Sequence, residues 1–221
     1  RDVVARAVAD ERERTGDVVL DTTPLDFAAE FPDLHGRVIE AGVDPDAIPV
    51  APAEHFLCGG VGVDDRGRTS LERLYAVGEV SRTGVHGANR LASTSLLEGL
   101  VWGRRAGRDA AARERVEGEP EVPNRSDRDP ALPDGFVDGK FERLHRVLGE
   151  RVGLTRAPEG LDRACAALRR LKGETDAYAR TRPARDVAEL RNAATVGLLL
   201  ARAAREAEPA GCHALEGVPC R

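Results

Sequence analysis

The sequence contains no methionine, and its only lysines are Lys140 and Lys172. Translated chains begin with methionine and usually contain more of them, so we expect this chain to be part of a longer protein. No apolar run reaches the roughly 20 residues that a membrane-spanning helix needs, and the first residues lack the pattern of a signal peptide. These absences predict a protein with no membrane partner and a cytoplasmic location.

Signals for metal and nucleic-acid binding are also missing. The four cysteines form no CxxC pair and no Cys/His spacing of a zinc site, so we expect free thiols and no metal. The net charge of -5 comes from 38 acidic and 33 basic residues spread along the chain, which predicts no nucleic-acid partner. With 221 residues, 41% of them hydrophobic, the chain can bury a sizeable core in one domain or two. The cysteines are Cys58, Cys165, Cys212 and Cys220.

Helical and strand patterns alternate in the first part of the sequence. Apolar spacing predicts a helix over Val3–Arg14, a short strand at Val18–Leu20 and a second helix over Phe27–Ala41. Two later apolar runs, Val61–Val63 and Leu74–Val77, are separated by a segment that begins with a turn at Asp64–Gly67. This arrangement predicts a hairpin that returns into a sheet.

The second part of the sequence is predicted to be mainly helical. A helix is predicted from Ser95 to about Arg115, and the charged, proline-rich stretch after it disfavours helix and sheet alike. Asp186 and Glu189 resemble a capping box that opens another helix. The sequence therefore predicts a linker at 119–135 followed by a helical bundle. The apolar positions at helical spacing in that bundle are Leu161, Ala164, Cys165, Leu168 and Leu171.

The most distinctive chemical feature is a glycine-containing loop that runs from His86 to Arg90. Arginine grips a carboxylate through two parallel hydrogen bonds, so Arg90 suits one end of a dicarboxylate; a surface loop with an exposed arginine is the alternative. Glu79 follows an apolar run, where a carboxylate can accept hydrogen bonds from the sugar of a nucleotide; a surface glutamate is the alternative there. Ser95 and Leu96 stand where a helix begins, and backbone N–H groups at such a place stabilise anions.

Two segments of the chain carry a family resemblance. Residues 55–69 read HFLCGGVGVDDRGRT, and residues 74–98 read LYAVGEVSRTGVHGANRLASTSLLE. In this order and spacing they resemble the L-aspartate oxidases, which belong to the succinate dehydrogenase and fumarate reductase flavoprotein superfamily. The opening RDVVARA at 1–7 resembles the catalytic arginine motif of the family, and AELRNA at 188–193 resembles its helical domain. The resemblance covers almost the whole chain.

The resemblance implies an activity, a cofactor and residue roles. It implies oxidation of L-aspartate to iminosuccinate, the first step of NAD biosynthesis, with FAD as cofactor and oxygen or fumarate as electron acceptor. Quinolinate synthase is the partner expected downstream. Arg1 matches the catalytic proton-transfer arginine of the family, and His55 and Arg90 match its substrate-carboxylate ligands. The positions that match FAD contacts are Glu79, Ser95 and Leu96.

The resemblance also implies a fold of the α/β plus all-α class, the distal part of a Rossmann-like FAD-binding flavoprotein. Since the N-terminal FAD half is not in the sequence, we expect this polypeptide alone to be inactive and to bind FAD weakly or not at all. Two alternatives stay open: a fragment of a fumarate reductase or succinate dehydrogenase flavoprotein, and a non-catalytic helical interaction module. The expected domains are the distal part of a capping or substrate domain (1–56), the returning segment of the FAD domain (57–118), the linker (119–135) and a helical domain (136–221).

Overall fold

The computed structural model describes most of the chain, and three sequence predictions fall outside the described part. Arg1, nearly all of the predicted linker at 119–135, and Cys220 lie outside the described residues. None of the helices in the described part is long and apolar enough to cross a membrane. The described residues are 2–114, 118, 135–181 and 184–218.

The chain divides into two compact units, and the first is Arg1–Leu57. Its two strands pair in antiparallel fashion, with Leu20 opposite Ile48. The helix and the strand predicted for its first part are confirmed, with ends shifted by about one residue. The elements of this unit are α1 (Asp2–Thr15), β1 (Val19–Asp21), α2 (Phe27–Glu30), α3 (Pro32–Glu40) and β2 (Ala47–Pro49).

The single helix predicted over Phe27–Ala41 is wrong, because the structure has two helices there. Phe31 separates them, with φ −135° and ψ 60°, which is not a helical conformation. A proline ring clashes with a helical conformation of the residue before it, so Pro32 forces Phe31 out of α2 and then serves as the first residue of α3. The start of α2 is capped by Asp26, whose carboxylate accepts a hydrogen bond from the N–H of Ala29 at 3.2 Å.

In the second unit, the hairpin predicted between 61–63 and 74–77 is wrong in its pairing. The first run pairs in parallel with residues 81–82 instead. Asp64 explains this path, because its carboxylate accepts hydrogen bonds at 2.9 Å from two backbone N–H groups and curls the chain into a tight turn. The second run then meets the turn itself, at an antiparallel bridge to Arg68. The elements here are β3 (Val61–Gly62), a 3-10 helix (Gly78–Val80), β4 (Ser81–Arg82) and α4 (Ser95–Ala111).

Three longer helices pack against one another in the last part of the second unit, Cys58–Arg221. The apolar spacing predicted around Leu168 is confirmed, since all five of the predicted positions are buried. Gly197 allows close packing, because a Cβ there would lie 3.3 Å from a methyl group of Leu144. The elements are α5 (Phe136–Arg151), β5 (Thr155–Arg156), α6 (Pro158–Thr181), α7 (Arg185–Glu206) and β6 (Ala214–Leu215), with β5 and β6 paired in parallel.

The capping box predicted at Asp186 and Glu189 is wrong. The residue before α7 is Ala184, which is extended, so Asp186 lies inside the first turn and cannot cap it. Glu189 bonds to the side chain of Arg185 at 2.7 Å. An acidic residue in the first turn still favours the helix, because it complements the positive end of the helix dipole. The sequence pattern therefore predicted where the helix begins, but not how its first turn is stabilised.

Candidate functional site

The predicted anion loop, His86–Arg90, and the two residues before it fold as two consecutive turns, and we refer to residues 84–90 as the loop. The N–H of Gly87 donates to the carbonyl of Gly84, and a second turn closes on the carbonyl of His86, each at 3.2 Å. The φ angles of Gly84 and Gly87 are 87° and 55°, where other residues are strained. The two glycines therefore allow the path that delivers Arg90 to the start of α4.

The side chain of Arg90 contacts the first residue of α4. Its Nε donates a hydrogen bond to Oγ of Ser95 at 2.5 Å. Within the described part of the chain, no side chain caps this helix, since the hydroxyl of Thr94 donates to the carbonyl of Leu91 at 2.7 Å instead. The next residue, Leu96, is 81% exposed. A guanidinium and the positive end of a helix dipole thus meet at one place, which we call the α4 start.

A buried carboxylate lies one turn further along α4. Glu98 is only 5% exposed. Its Oε1 accepts a hydrogen bond from the hydroxyl of Thr83, and its Oε2 lies 2.8 Å from Nε2 of His86. An ionised carboxylate can only accept hydrogen bonds, so Nε2 of His86 carries the hydrogen. Glu98 therefore ties two residues of the loop region to the same helix that Arg90 contacts.

Glu79 was predicted to end a strand, but it lies in the 3-10 helix, and its side chain is exposed. That short helix packs on α4 at two glycines. A Cβ on Gly99 would lie 3.9 Å from Cα of Gly78, and one on Gly103 would lie 3.6 Å from a methyl group of Val77. Because glycine has no side chain, the two backbones approach closely, and Glu79 is held beside α4.

The C-terminal tail, residues 210–215, packs on the same loop. Both the N–H and the thiol of Cys212 lie 3.1 Å from the carbonyl oxygen of Ala88. A Cβ on Gly211, whose φ is 57°, would lie 2.4 Å from that oxygen. Only glycine fits such a contact, so the tail is shaped to cover the loop.

His213 connects the tail to the bundle. Its Nδ1 lies 2.6 Å from Nη1 of Arg156. Burial lowers the pKa of His213, and the charge of Arg156 lowers it further. A neutral imidazole can accept the hydrogen bond of the guanidinium through Nδ1, whereas a protonated one cannot. The docked tail therefore contains a neutral His213.

Cys58 borders the loop from another side. Burial raises the pKa of its thiol, the neighbouring Cys212 raises it further, and the backbone N–H of Arg90 partly opposes both. Cys58, Cys165 and Cys212 are free thiols, as predicted. The raised pKa keeps Cys58 in its protonated, less nucleophilic form at neutral pH.

The opposite end of α4 holds a second carboxylate network. Asp109 accepts hydrogen bonds from Nε of Arg68 at 2.7 Å and from the hydroxyl of Tyr75 at 2.6 Å. These two bonds hold the pKa of Asp109 well below its usual range. Arg66 and Arg113 lie within 3.5 Å of the same carboxylate. This network joins α4 to the Asp64 turn, and no predicted site residue belongs to it.

The remaining predicted site residues are Arg1, which lies outside the described residues, and His55. His55 belongs to the first unit, in a segment after β2 that has no regular secondary structure, and its side chain is exposed. The structure brings Arg90, Ser95 and Leu96 together at the α4 start, with Glu79 on an adjoining element. The roles of all these residues stay predictions.

Glu98 had no predicted role, although the sequence around it carries a signal. Glu98 is the only charged residue between positions 91 and 103, in the apolar run LASTSLLEGLVWG. A lone charge in an apolar helical run indicates a buried carboxylate with dedicated partners. The tail contact at Cys212 had no comparable signal, because it lies 124 residues from Ala88 in the chain.

Comparison with known proteins first defines a class. Residues 1–96 match the family described as FAD binding domain, which indicates FAD as the cofactor. The whole chain superposes on a quinol fumarate reductase of E. coli with a TM-score of 0.80 at 25% identity, covering 44% of that chain. It superposes on a chain of the Mycobacterium smegmatis Sdh1 complex with a TM-score of 0.73 at 28% identity, covering 42% of it. The fold of this chain therefore corresponds to part of the flavoproteins of succinate dehydrogenase and fumarate reductase.

Within this class, the chain is homologous to the L-aspartate oxidases over nearly its whole length. It is 65% identical to L-aspartate oxidase of Halobacterium salinarum over 96% of this chain. It is 40% identical to L-aspartate oxidase of Mycobacterium tuberculosis over 100% of this chain. The matches cover 42% and 41% of those two proteins, so the chain spans less than half the length of the relatives.

Proposed function

We propose that this chain forms part of an FAD-dependent L-aspartate oxidase, which oxidises L-aspartate to iminosuccinate with oxygen or fumarate as electron acceptor. The observation that carries this proposal is the α4 start, where Arg90 lies 2.5 Å from Ser95 at the first turn of a helix that no described side chain caps. A guanidinium suits a carboxylate, and the helix start suits an anionic flavin ring. The similarity to L-aspartate oxidases supports the choice of substrate.

The residues present fit FAD. The uncapped first turn of α4 offers backbone N–H groups at Ser95 and Leu96, and the exposed carboxylate of Glu79 suits ribose hydroxyls. When bound, FAD supplies the hydride acceptor for oxidation of the substrate. The role of this chain is to orient the cofactor. The residues that would hold it are Glu79, Ser95 and Leu96.

The substrate has a carboxylate at each end, so it needs cationic groups at both. In this proposal Arg90 binds one carboxylate with the fork of its guanidinium, and its bond to Ser95 fixes the direction of that fork. The resemblance of its motif assigns His55 to the substrate carboxylates as well. Arg1 takes the role of proton transfer, which rests on the resemblance of its motif alone.

The proposal extends to organisation and context. The reaction opens NAD biosynthesis in the cytoplasm, and quinolinate synthase would use its product. The fold is then the distal part of a Rossmann-like flavoprotein, with four regions. They are a capping-domain segment (1–56), the returning segment of the FAD domain (57–118), a linker (119–135) and a helical domain (136–221).

A fumarate reductase or succinate dehydrogenase flavoprotein is the second candidate. It is favoured by the solved structures of this fold, which include the quinol fumarate reductase with a TM-score of 0.80. Both candidates need a carboxylate clamp such as Arg90, so the α4 start alone does not separate them. The two differ in the substrate that reduces the flavin.

Anaerobic flavin reduction in a hybrid enzyme separates the two candidates. In the hybrid, this chain replaces the matching segment of the Halobacterium salinarum relative, with which it shares 65% identity. We expect L-aspartate to bleach the bound FAD and succinate to do so far more slowly. Bleaching by succinate and not by L-aspartate favours the second candidate. A hybrid that retains FAD and is reduced by neither substrate contradicts both.

A further inference from the structure

The loop of residues 84–90 is attached to α4 on both of its sides. Before the loop, Thr83 bonds to Glu98, and within it His86 bonds to the same carboxylate at 2.8 Å. At its end, Arg90 bonds to Ser95 at 2.5 Å. One helical turn of α4 therefore holds the loop at three points.

Packing alone does not explain a glutamate at position 98. The buried residues of α4 are Glu98 and Ala106, whereas Leu96, Leu97 and Leu100 are more than 60% exposed. Burying a carboxylate is unfavourable unless hydrogen bonds replace its water, so an apolar side chain would suit a purely structural position better. The carboxylate is retained with two donors, Thr83 just before the loop and His86 within it, which indicates that its role is to hold the loop.

The loop needs such anchors because its glycines give it freedom. Gly84 and Gly87 both have positive φ, and a backbone with two glycines can adopt many other conformations. Each bond to Glu98 removes some of these alternatives before a ligand arrives. A loop ordered in advance binds its ligand more tightly than one that must be ordered on binding.

We propose that Glu98 is a positioning residue for substrate binding, which sets the place of the Arg90 guanidinium through Thr83 and His86. This rests on the proposed function, in which Arg90 is the carboxylate ligand. Glu98 itself touches neither substrate nor cofactor in this account. Its loss should therefore weaken substrate binding more than it slows the chemical step.

The test compares two carboxylates of the same helix in the hybrid enzyme. Glu98→Gln keeps the size of the side chain but replaces one acceptor oxygen with an amide donor, so it cannot accept from both loop residues. We expect the KM for L-aspartate to rise about tenfold, with a smaller change in kcat. The matched control is Asp109→Asn, which disturbs a comparable network at the other end of α4 and should leave KM unchanged.

Thr83 provides a second variant pair. Thr83→Val removes the hydroxyl at nearly constant shape and should raise KM. Thr83→Ser keeps the hydroxyl donor and should leave KM at the wild-type value. The proposal is overturned if Glu98→Gln leaves KM unchanged, or if Asp109→Asn raises KM equally.

Failure of the proposed function gives a different result. In that case the wild-type hybrid does not oxidise L-aspartate, and the loop is followed in this chain by NMR. We then expect Glu98→Gln to accelerate solvent exchange of the Arg90 Nε–H, and Asp109→Asn not to do so. Unchanged exchange in Glu98→Gln would overturn the positioning role whatever the substrate is.

Discussion

The two ends of α4 hold carboxylates in contrasting surroundings. Asp109 lies among arginines and a tyrosine hydroxyl that all come from the scaffold. Glu98 instead bonds to a loop, and the arginine at the end of that loop donates to the neutral hydroxyl of Ser95. A hydroxyl orients a guanidinium without supplying a negative charge. Under the proposed function, this difference makes one end of the helix a folding element and the other a ligand site.

The largest expected effect is at the ligand end. Arg90→Lys in the hybrid should lower kcat/KM for L-aspartate about 100-fold, because an ammonium group cannot form two parallel hydrogen bonds with a carboxylate. Steady-state oxidation rates measure this effect. Arg66→Lys, at the folding end of α4, serves as the control and should leave kcat/KM close to wild type. Equal losses of kcat/KM in the two variants would contradict the assignment of different roles to the two ends of α4.

A substitution at the Asp109 end of α4 should lower the thermal stability of the fold. Asp109→Asn leaves Arg68 and its neighbours without their shared carboxylate, so we expect the melting temperature of this chain to fall by several degrees. Thermal unfolding followed by circular dichroism measures it. If the melting temperature is unchanged while L-aspartate oxidation by the hybrid is lost, the assignment of Asp109 to folding is wrong.

The same network predicts a dependence of stability on pH. The pKa of Asp109 is held well below its usual range by Arg68 and Tyr75, so the folded form binds a proton less readily than the unfolded chain. The carboxylate therefore stabilises the fold above the ordinary aspartate pKa of about 3.9, and this stabilisation is lost as the pH falls toward the folded pKa.

Denaturant titrations at a series of pH values measure this dependence. Between about pH 5 and pH 2, the free energy of unfolding of the wild-type chain should fall more steeply than that of Asp109→Asn. Parallel curves for the two proteins would show that Asp109 does not supply this dependence.

The smallest expected effect concerns the tail that covers the loop. Gly211→Ala would place a methyl group 2.4 Å from the Ala88 carbonyl, so we expect the tail to lift and the Cys212 N–H to exchange faster with solvent. Gly217→Ala is the matched control, because its φ of 69° is also positive but a Cβ there meets nothing within 4 Å. Hydrogen exchange of the Cys212 amide distinguishes them. Similar acceleration in both variants would mean that backbone strain, and not the loop contact, holds the tail.

Much of the fold could be predicted where one pattern reports directly on burial. The helical spacing around Leu168 predicted buried positions, because residues on one face of a helix share one environment. The break at Pro32 was predictable in principle from the restriction on the residue before proline. The pairing of residues 61–62 with 81–82 was not, because two-residue strands carry too little alternation to reveal a partner.

The candidate site likewise has one part that local sequence patterns indicate and another part that they do not. The motif around Arg90 predicted a ligand loop, and a lone charge at Glu98 was a readable signal. The contact of the tail with Ala88 joins parts of the chain 124 residues apart, and it depends on the path of the helical bundle between them. No local pattern contains that information.

The most direct test of the account is an NMR titration of this chain with L-aspartate. Binding should be weak, so concentrations up to the order of tens of millimolar are needed. The account predicts that the Arg90 Nε–H and the backbone amides of Ser95 and Leu96 shift with added L-aspartate, while the resonances of Arg68 and Asp109 do not. Shifts centred on Asp109, or no shift at Arg90, would contradict it.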